Sequence, residues 1–417
     1  MSGAKIKNFI IDNIVTIIFV LISALGIAVA NQPILFIVNE MVQRIARNSF
    51  IVMALIIPVL AGLGLNFSIT IGAMAGQMAI IMVTDWGIGG IPGILIAMAI
   101  SVPLSWLFGW MIGKLLNKTR GQEMIASMIV GFFANGLYQF LYLFVVGKFI
   151  PMRKKELLLR SGIGVRNTVD LENGLSYAFD NLVKTPFFIT IMIVAAFLIA
   201  LQLIKFRQER NTPLFDRKKF ITWLSIFLVI FAFAALAHYT KIMPNSIRIL
   251  KGIKVPFVTI LLIMAVAIFN VWITKTKLGQ DFRSVGQSQH IAAVSGIHVD
   301  KTRVTAITIS TILAAWGQII LLQNVGVLNT FGSHMQIGLF SVAALLVGGA
   351  SVNKATVGQA FLGVILFHIL FLVSPYAGKE LFGDAQIGEY FRTFVAYGVI
   401  GLSLGLYAWK QAKGLVR

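Results

Sequence analysis

Apolar runs long enough to cross a bilayer recur along this 417-residue chain, from near residue 8 to near residue 410. That recurrence constrains the fold more than any other feature. A helix of about 20 predominantly apolar residues matches the hydrocarbon thickness of a bilayer, and inside lipid only helices or closed barrels satisfy every backbone polar group. With 58% hydrophobic and 12% charged residues, the chain carries far more apolar surface than the patches on the order of a few hundred Å² that soluble monomers expose.

A window of about 19 residues places spans near 8–30, 46–64, 66–84, 88–114, 122–147, 185–205, 219–239, 255–274, 303–323, 335–350, 354–374 and 391–410. The expected fold is all-α: a polytopic transmembrane helical bundle of about 10–12 spans, read as a single transmembrane domain over 1–417. Lys5 and Lys7 precede the first run in the manner of a secretory signal. No small-residue cleavage site stands before Asn31 and further spans follow, so that run is read as a retained anchor.

The net charge of +20 invites a nucleic-acid reading, but the basic residues lie in short loops between spans rather than along one face. With both termini inside, the cytoplasmic segments carry Lys114, Lys118, Arg120, the cluster from Lys205 to Lys219 and the stretch from Lys275 to Arg303. By this count about 20 of the 35 basic residues are cytoplasmic, the bias that sets membrane orientation. No nucleic-acid partner is expected. The absence of cysteine excludes disulfides, thiol catalysis and Cys-ligated metal, and no metal site is expected.

Two stretches are large enough for a task outside the membrane, and the span count puts them on opposite sides. The external loop 148–184 holds Arg153, Lys154 and Lys155 beside Pro151; docking of an extracytoplasmic partner and a solvated cap both fit. The internal loop 275–302 contains, over 287–295, the length and composition of a short amphipathic helix. Gly286 and Gly296 bracket it, permitting sharp backbone turns at both ends.

At these residues the chain resembles a known family. "FRSVGQSQHIAAVSGIHVDKTRV" is similar to the cytoplasmic coupling helix segment in permeases of type II ABC importers, the branch for simple sugars, nucleosides and branched-chain amino acids, with Arg283, Val285, Gly286, Ala292, Ala293, Gly296, Ile297 and Val299 at matching positions. "GLGLNFSITIGAMAGQMAI" resembles the family's glycine-rich segment through Gly64, Asn66, Ser68, Gly72 and Gly76. "LLVGGASVNKATVGQAFLGVIL" resembles its later Gly-Gly stretch, with Gly349 and Gly358. "RGQEMIASMIVGFFANGLYQF" resembles the start of the fifth span of nucleoside-type members through Glu123, Ile125, Met128 and Asn135. The chain departs from the pattern at Gln287, Ser288 and Gln289, where relatives often place Asn and Pro, and in the length of loop 148–184; these departures bear on the substrate.

The resemblance implies a multi-pass permease subunit of the bacterial cytoplasmic (inner) membrane, not an enzyme, importing by alternating access. It implies four partners: an ATP-binding subunit, a second permease of the same or similar sequence, an extracytoplasmic solute-binding protein, and a small polar solute. The chain has no GxxxxGK[ST] phosphate cradle, so no cofactor is expected on it, and ATP and Mg belong to the partner ATPase. The expected coupling residues are Arg283, Val285, Gly286, Gln287, Ala292, Ala293 and Gly296.

For the translocation path the guide is cost, because polar groups at membrane depth are unfavourable unless they pair or line a cavity. Asn66, Phe67, Ser68 and Gln77 stand among glycines whose interruption of helix exposes backbone groups; packing of helices through small residues at Gly72 and Gly76 fits equally. Asn135 and Tyr138, with Gln139 and Tyr142, offer amide and aromatic groups to a sugar or nucleobase, and an interfacial aromatic belt explains the tyrosines as well. His368 reads more readily as a packed histidine than as a titrating one. The cargo is expected to be a sugar-containing solute, a simple sugar or a nucleoside; branched-chain amino acids and riboflavin stay open. The rival reading, an ion-coupled secondary carrier, is disfavoured by the shortage of mid-span acids.

Overall fold

The structure is a computed structural model that describes residues 13–171, 174–210 and 216–412. Lys5, Lys7 and the start of the first expected span, two positions of the external loop (172–173) and part of the basic cluster (211–215) lie outside the described residues. Long helices account for most of what is described: α1 (Ile14–Val29), α2 (Ile34–Ala54), α3 (Ile56–Leu60), α4 (Ile69–Trp86), α5 (Gly90–Lys118), α6 (Glu123–Phe140), α7 (Phe187–Glu209), α8 (Arg217–Tyr239), α9 (Asn245–Arg248), α10 (Phe257–Ile273), α11 (Lys277–Gln287), α12 (Gln289–Val294), α13 (Val299–Val325), α14 (Met335–Val347), α15 (Val357–Phe382) and α16 (Ala385–Ala412).

Among the described residues, eight helices are long and apolar enough to cross a membrane, or nine if α10 and α11, bent by 72° at a short break, form one span. With the shorter apolar helices α1 and α14 and the terminal α16, every run expected to span coincides with a helix, and the chain is a multi-pass all-α membrane protein. The boundaries differ most in α2, which starts at Ile34 and continues through α3 to Leu60 rather than starting near 46. Asn39, Glu40, Gln43, Arg44 and Arg47 lower the hydropathy of its first turns, although each remains compatible with helix.

The contacts divide the chain into two compact units, one of Met1–Asn31, Arg44–Ala178 and Thr259–Arg417, the other of Gln32–Gln43 and Phe179–Val258. In the second unit α7 and α8 pack on each other, with Phe206 stacked on Phe220 at 5.0 Å. Its strands β2 (Lys184–Pro186) and β3 (Lys254–Pro256) pair antiparallel, Thr185 opposite Val255.

The first unit is built around α13, which packs against α4 and α5 through residues without bulk. A Cβ at Gly72 would lie 2.5 Å from the Thr311 carbonyl oxygen, one at Gly109 2.7 Å from Thr308 Cα, and one at Gly113 2.8 Å from Val304 Cα. Such backbone-to-backbone approach is the usual source of helix association in lipid, where burial of apolar surface supplies little. Gly72 and Gly76 therefore serve packing, and α4 runs unbroken across them. The interruption lies earlier, at 61–68, where Gly62 and Gly64 take φ of +71° and +67°, conformations that cost a side-chain-bearing residue.

The first-unit part of loop 148–184 is folded and tied to the helices of that unit. Its strand β1 (Thr168–Asp170) pairs antiparallel with β4 (Val327–Asn329), which follows α13. The Lys154 amide donates to Asp85 at the end of α4 at 2.9 Å, and the Thr330 hydroxyl donates to the Arg166 carbonyl at 2.7 Å. Arg153 and Lys155 stay exposed.

Candidate functional site

Gln77 lies midway along α4, on a helix buried nearly all round, and is itself fully buried. Asn135 and Tyr138 are three residues apart on α6 and so share a face, with Tyr142 one turn beyond. Between α13 and α14 the Asn329 side chain accepts from the Phe331 amide at 3.2 Å and from the Gly332 amide at 2.8 Å, an Asx-type turn that delivers His334 inward, fully buried. These four side chains meet. The Gln77 amide donates to the carbonyls of Asn329 (3.0 Å) and Thr330 (2.7 Å). The His334 ring nitrogens lie 3.1 Å from Gln77 Oε1 and 2.8 Å from Asn135 Oδ1. The Tyr138 ring lies 4.8 Å from the imidazole and 4.6 Å from the Tyr142 ring.

A neutral imidazole completes this network by donating from Nδ1 to Gln77 and accepting at Nε2 from the Asn135 amide, whose two ends are interchangeable in outline. The Tyr138 hydroxyl is buried in the same cluster. The cluster is thus a set of neutral donors and acceptors with an aromatic wall. Three members, Gln77, Asn135 and Tyr138, carry a sequence signal in the cost of burying them. The fourth, His334, is the residue that sequence reasoning misses, because it sits in a loop, where polarity is unremarkable; the Asn329-to-Gly332 turn before it is the available clue.

Asn66, Phe67 and Ser68 lie elsewhere, in the buried break before α4. Asn66 Oδ1 accepts from the Ser68 amide at 3.1 Å and from its hydroxyl at 2.5 Å, and the Phe67 amide donates to Ser127 Oγ of α6 at 3.1 Å. Side chains thus satisfy backbone that helix does not, the condition for irregular chain at membrane depth. The Asn66 Nδ2 has no partner among the described residues. His368 packs its ring edge-on against Phe367 at 5.4 Å.

At the other end, the loop expected to hold a short helix contains α12, capped by the Ser288 hydroxyl accepting from the Ile291 amide at 3.3 Å. Gly296 ends it at φ +83°. Gly286 has a different role from the turn assigned to it. It lies inside α11, where a Cβ would collide with the Leu60 carbonyl and the Gly62 amide lies 3.1 Å away. Val285 and Ala292 are 1% exposed and pack inward with Val299. Gln287 and Ala293 are exposed, as is Arg283, which donates to the Thr274 carbonyl. Ile291 and Val294 are 66% and 77% exposed, so the helix presents an apolar outer face.

One ionic contact ties this end together. Arg303, one turn into α13 and fully buried, pairs with Glu123, the first residue of α6, at 2.5 Å, and donates to Gln289 of α12 at 3.3 Å. The sequence shows both charges at span ends and gives no sign that they meet.

A profile of the family described as branched-chain amino acid transport system / permease component matches residues 176–403. The chain is 27% identical over 161 residues to a galactose/methyl galactoside import permease protein of Salmonella typhimurium, a stretch covering 38% of this chain and 46% of that permease. It is 33% identical over 106 residues to an autoinducer 2 import system permease protein of Klebsiella pneumoniae, covering 24% and 30%. The matches thus span less than half the length of these curated relatives, and no solved structure matches the chain. These findings agree with the resemblance to permeases of type II ABC importers. As the profile covers more than half of its length, the chain belongs to the branched-chain amino acid transport system / permease component family.

Proposed function

We propose that this chain is the conduit of an ATP-driven importer for a sugar-containing small solute, a simple sugar or a nucleoside, in the bacterial cytoplasmic membrane. Both units act as one permease domain, paired with a second permease, an external solute-binding protein and an ATP-binding subunit that supplies ATP and Mg chemistry. The observation that carries the cargo class is the neutrality of the Gln77, Asn135, Tyr138 and His334 cluster. A zwitterionic amino acid in a low-dielectric path needs charged partners, since isolated charges there are costly. Hydroxyl groups need only what this cluster holds, and an aromatic face suits a sugar or base. The import permeases for galactose and methyl galactoside among the relatives support the same class.

In this reading the solute replaces hydrogen bonds that the cluster otherwise makes with itself, Asn66 Nδ2 offers a further donor on the way, and α12 receives the ATPase on Ile291 and Val294. Closure of the ATPase moves α12, and Gln289 through Arg303 and Glu123 carries that motion to α6 and hence to Asn135. The test is reconstitution in liposomes with the cognate ATPase and binding protein. ATP-dependent accumulation of labelled galactose or a nucleoside, with leucine excluded, is expected. Accumulation by the chain alone on an ion gradient would establish a secondary carrier instead.

A further inference from the structure

The geometry points to a binding site for one anionic phospholipid on the cytoplasmic half of the groove between α5 and α13. The groove has a volume of about 780 Å³ and is graded along the helix axes. At its mouth stand Lys114, Lys118 and Lys301, all exposed. One and two turns deeper on α5 lie Trp110 and Trp106, 38% and 54% exposed, with Lys114 Nζ 3.9 Å above the Trp110 ring. Facing them on α13 the lining runs through Val304, Thr305 and Thr308 and ends at the apolar Ile309 and Ile312. The carboxylate at the mouth, Asp300, is already paired with Arg120, so the three lysines are the cations left to attract a ligand.

This order, ammonium groups, then indoles, then aliphatic wall, matches an amphiphile lying with its phosphate toward the cytoplasm and an acyl chain along the helices. Tryptophan prefers the headgroup level, and basic pockets between spans on the cytoplasmic side favour anionic headgroups. A free phosphate would leave the apolar length of the groove unused. Close packing of α5 on α13 at Gly109 and Gly113 makes the groove floor continuous, so an occupant rests on the two helices without separating them.

The chain contains no cysteine, so a single Ile309→Cys carries a bimane label without background. In nanodiscs containing the assembled transporter, brominated phosphatidylglycerol is expected to quench the label at about tenfold lower lipid fraction than brominated phosphatidylcholine, each lysine favouring the anionic lipid about fivefold at most. The Lys114→Gln, Lys118→Gln, Lys301→Gln triple variant, whose substitutions are all exposed, should abolish the preference while retaining quenching. Inorganic phosphate should not compete. Equal quenching by both lipids in the parent chain, competition by phosphate, or protection from both lipids by a covering protein would each overturn the assignment.

Discussion

The two polar clusters sit at opposite ends of α6 and are built on opposite principles. At Asn135 the groups are neutral and joined by single hydrogen bonds of 2.7–3.1 Å. At Glu123, about 18 Å away along the helix, a largely covered carboxylate, its side chain 12% exposed, meets a fully buried guanidinium. A neutral hydrogen bond exchanges for one to a solute hydroxyl at small net cost, because each contributes only about 0.5–1.5 kcal/mol. A buried ion pair has no such substitute, since parting the charges leaves each desolvated. Under the proposed function the Asn135 cluster, the outer one, is therefore the part that opens and the Glu123 pair, the inner one, the part that holds.

The sharpest way to break the comparison is Arg303→Ala, which strands Glu123. It should cost about 3–5 kcal/mol, read as thermal unfolding of the purified chain. Removing both charges in Arg303→Met with Glu123→Leu should recover most of that stability, while ATP-driven uptake stays impaired because Gln289 has lost its link to α6. Equal destabilisation by the single and double changes would mean that the charge pairing is not what matters at this joint.

His334→Ala tests the outer cluster. It leaves the buried Gln77 Oε1 and the half-buried Asn135 amide without their common partner, at about 1–3 kcal/mol. Uptake is expected to fall about tenfold or more while ATPase activity of the complex persists, and His334→Gln, which restores a donor and an acceptor, should rescue in part. Stability lost with uptake kinetics unchanged would make the cluster a packing device.

The third contrast lies within residues 283–296, the segment proposed to receive the ATPase. Gly286→Val drives a side chain into the Leu60 carbonyl and should destabilise by about 1–3 kcal/mol. Arg283→Glu alters an exposed side chain, and should leave unfolding unchanged while uncoupling ATP hydrolysis from uptake. Uncoupling by Gly286→Val at full stability would restore the turn role that the sequence suggested for Gly286.

How much of this the sequence carried follows from physics that differs between regions. Spans are legible because the bilayer selects on mean hydropathy over a turn count, and α2 is mis-started because Glu40 and Arg44 dilute that mean without breaking helix. Gln77, Asn135 and Tyr138 stand out because polar groups inside spans are costly. His334 is hidden since its loop is buried only by packing against Gln77 of α4 and Asn135 and Tyr138 of α6, and Glu123 with Arg303 is hidden since the two lie 180 positions apart. Spacing alone left Gly72 and Gly76 between packing and path, and only the neighbouring Thr311 and Ala315 carbonyls decide.

The smallest expected effect is at Arg120 and Asp300, a few residues from the buried pair on the same segments. Their side chains are 50% and 65% exposed, so water and salt already solvate both, and pairs of this kind contribute roughly 0–1 kcal/mol. Arg120→Ala should lower stability by less than about 1 kcal/mol, and 1 M salt, with a screening length of about 3 Å, should erase the difference. The Arg303→Ala penalty, arising where ions do not penetrate, should survive the same salt. A salt-resistant loss at Arg120 would place it inside the joint, making the C-terminal end of α5 and the N-terminal ends of α6 and α13 a single charged network instead of one covered pair beside a solvated one.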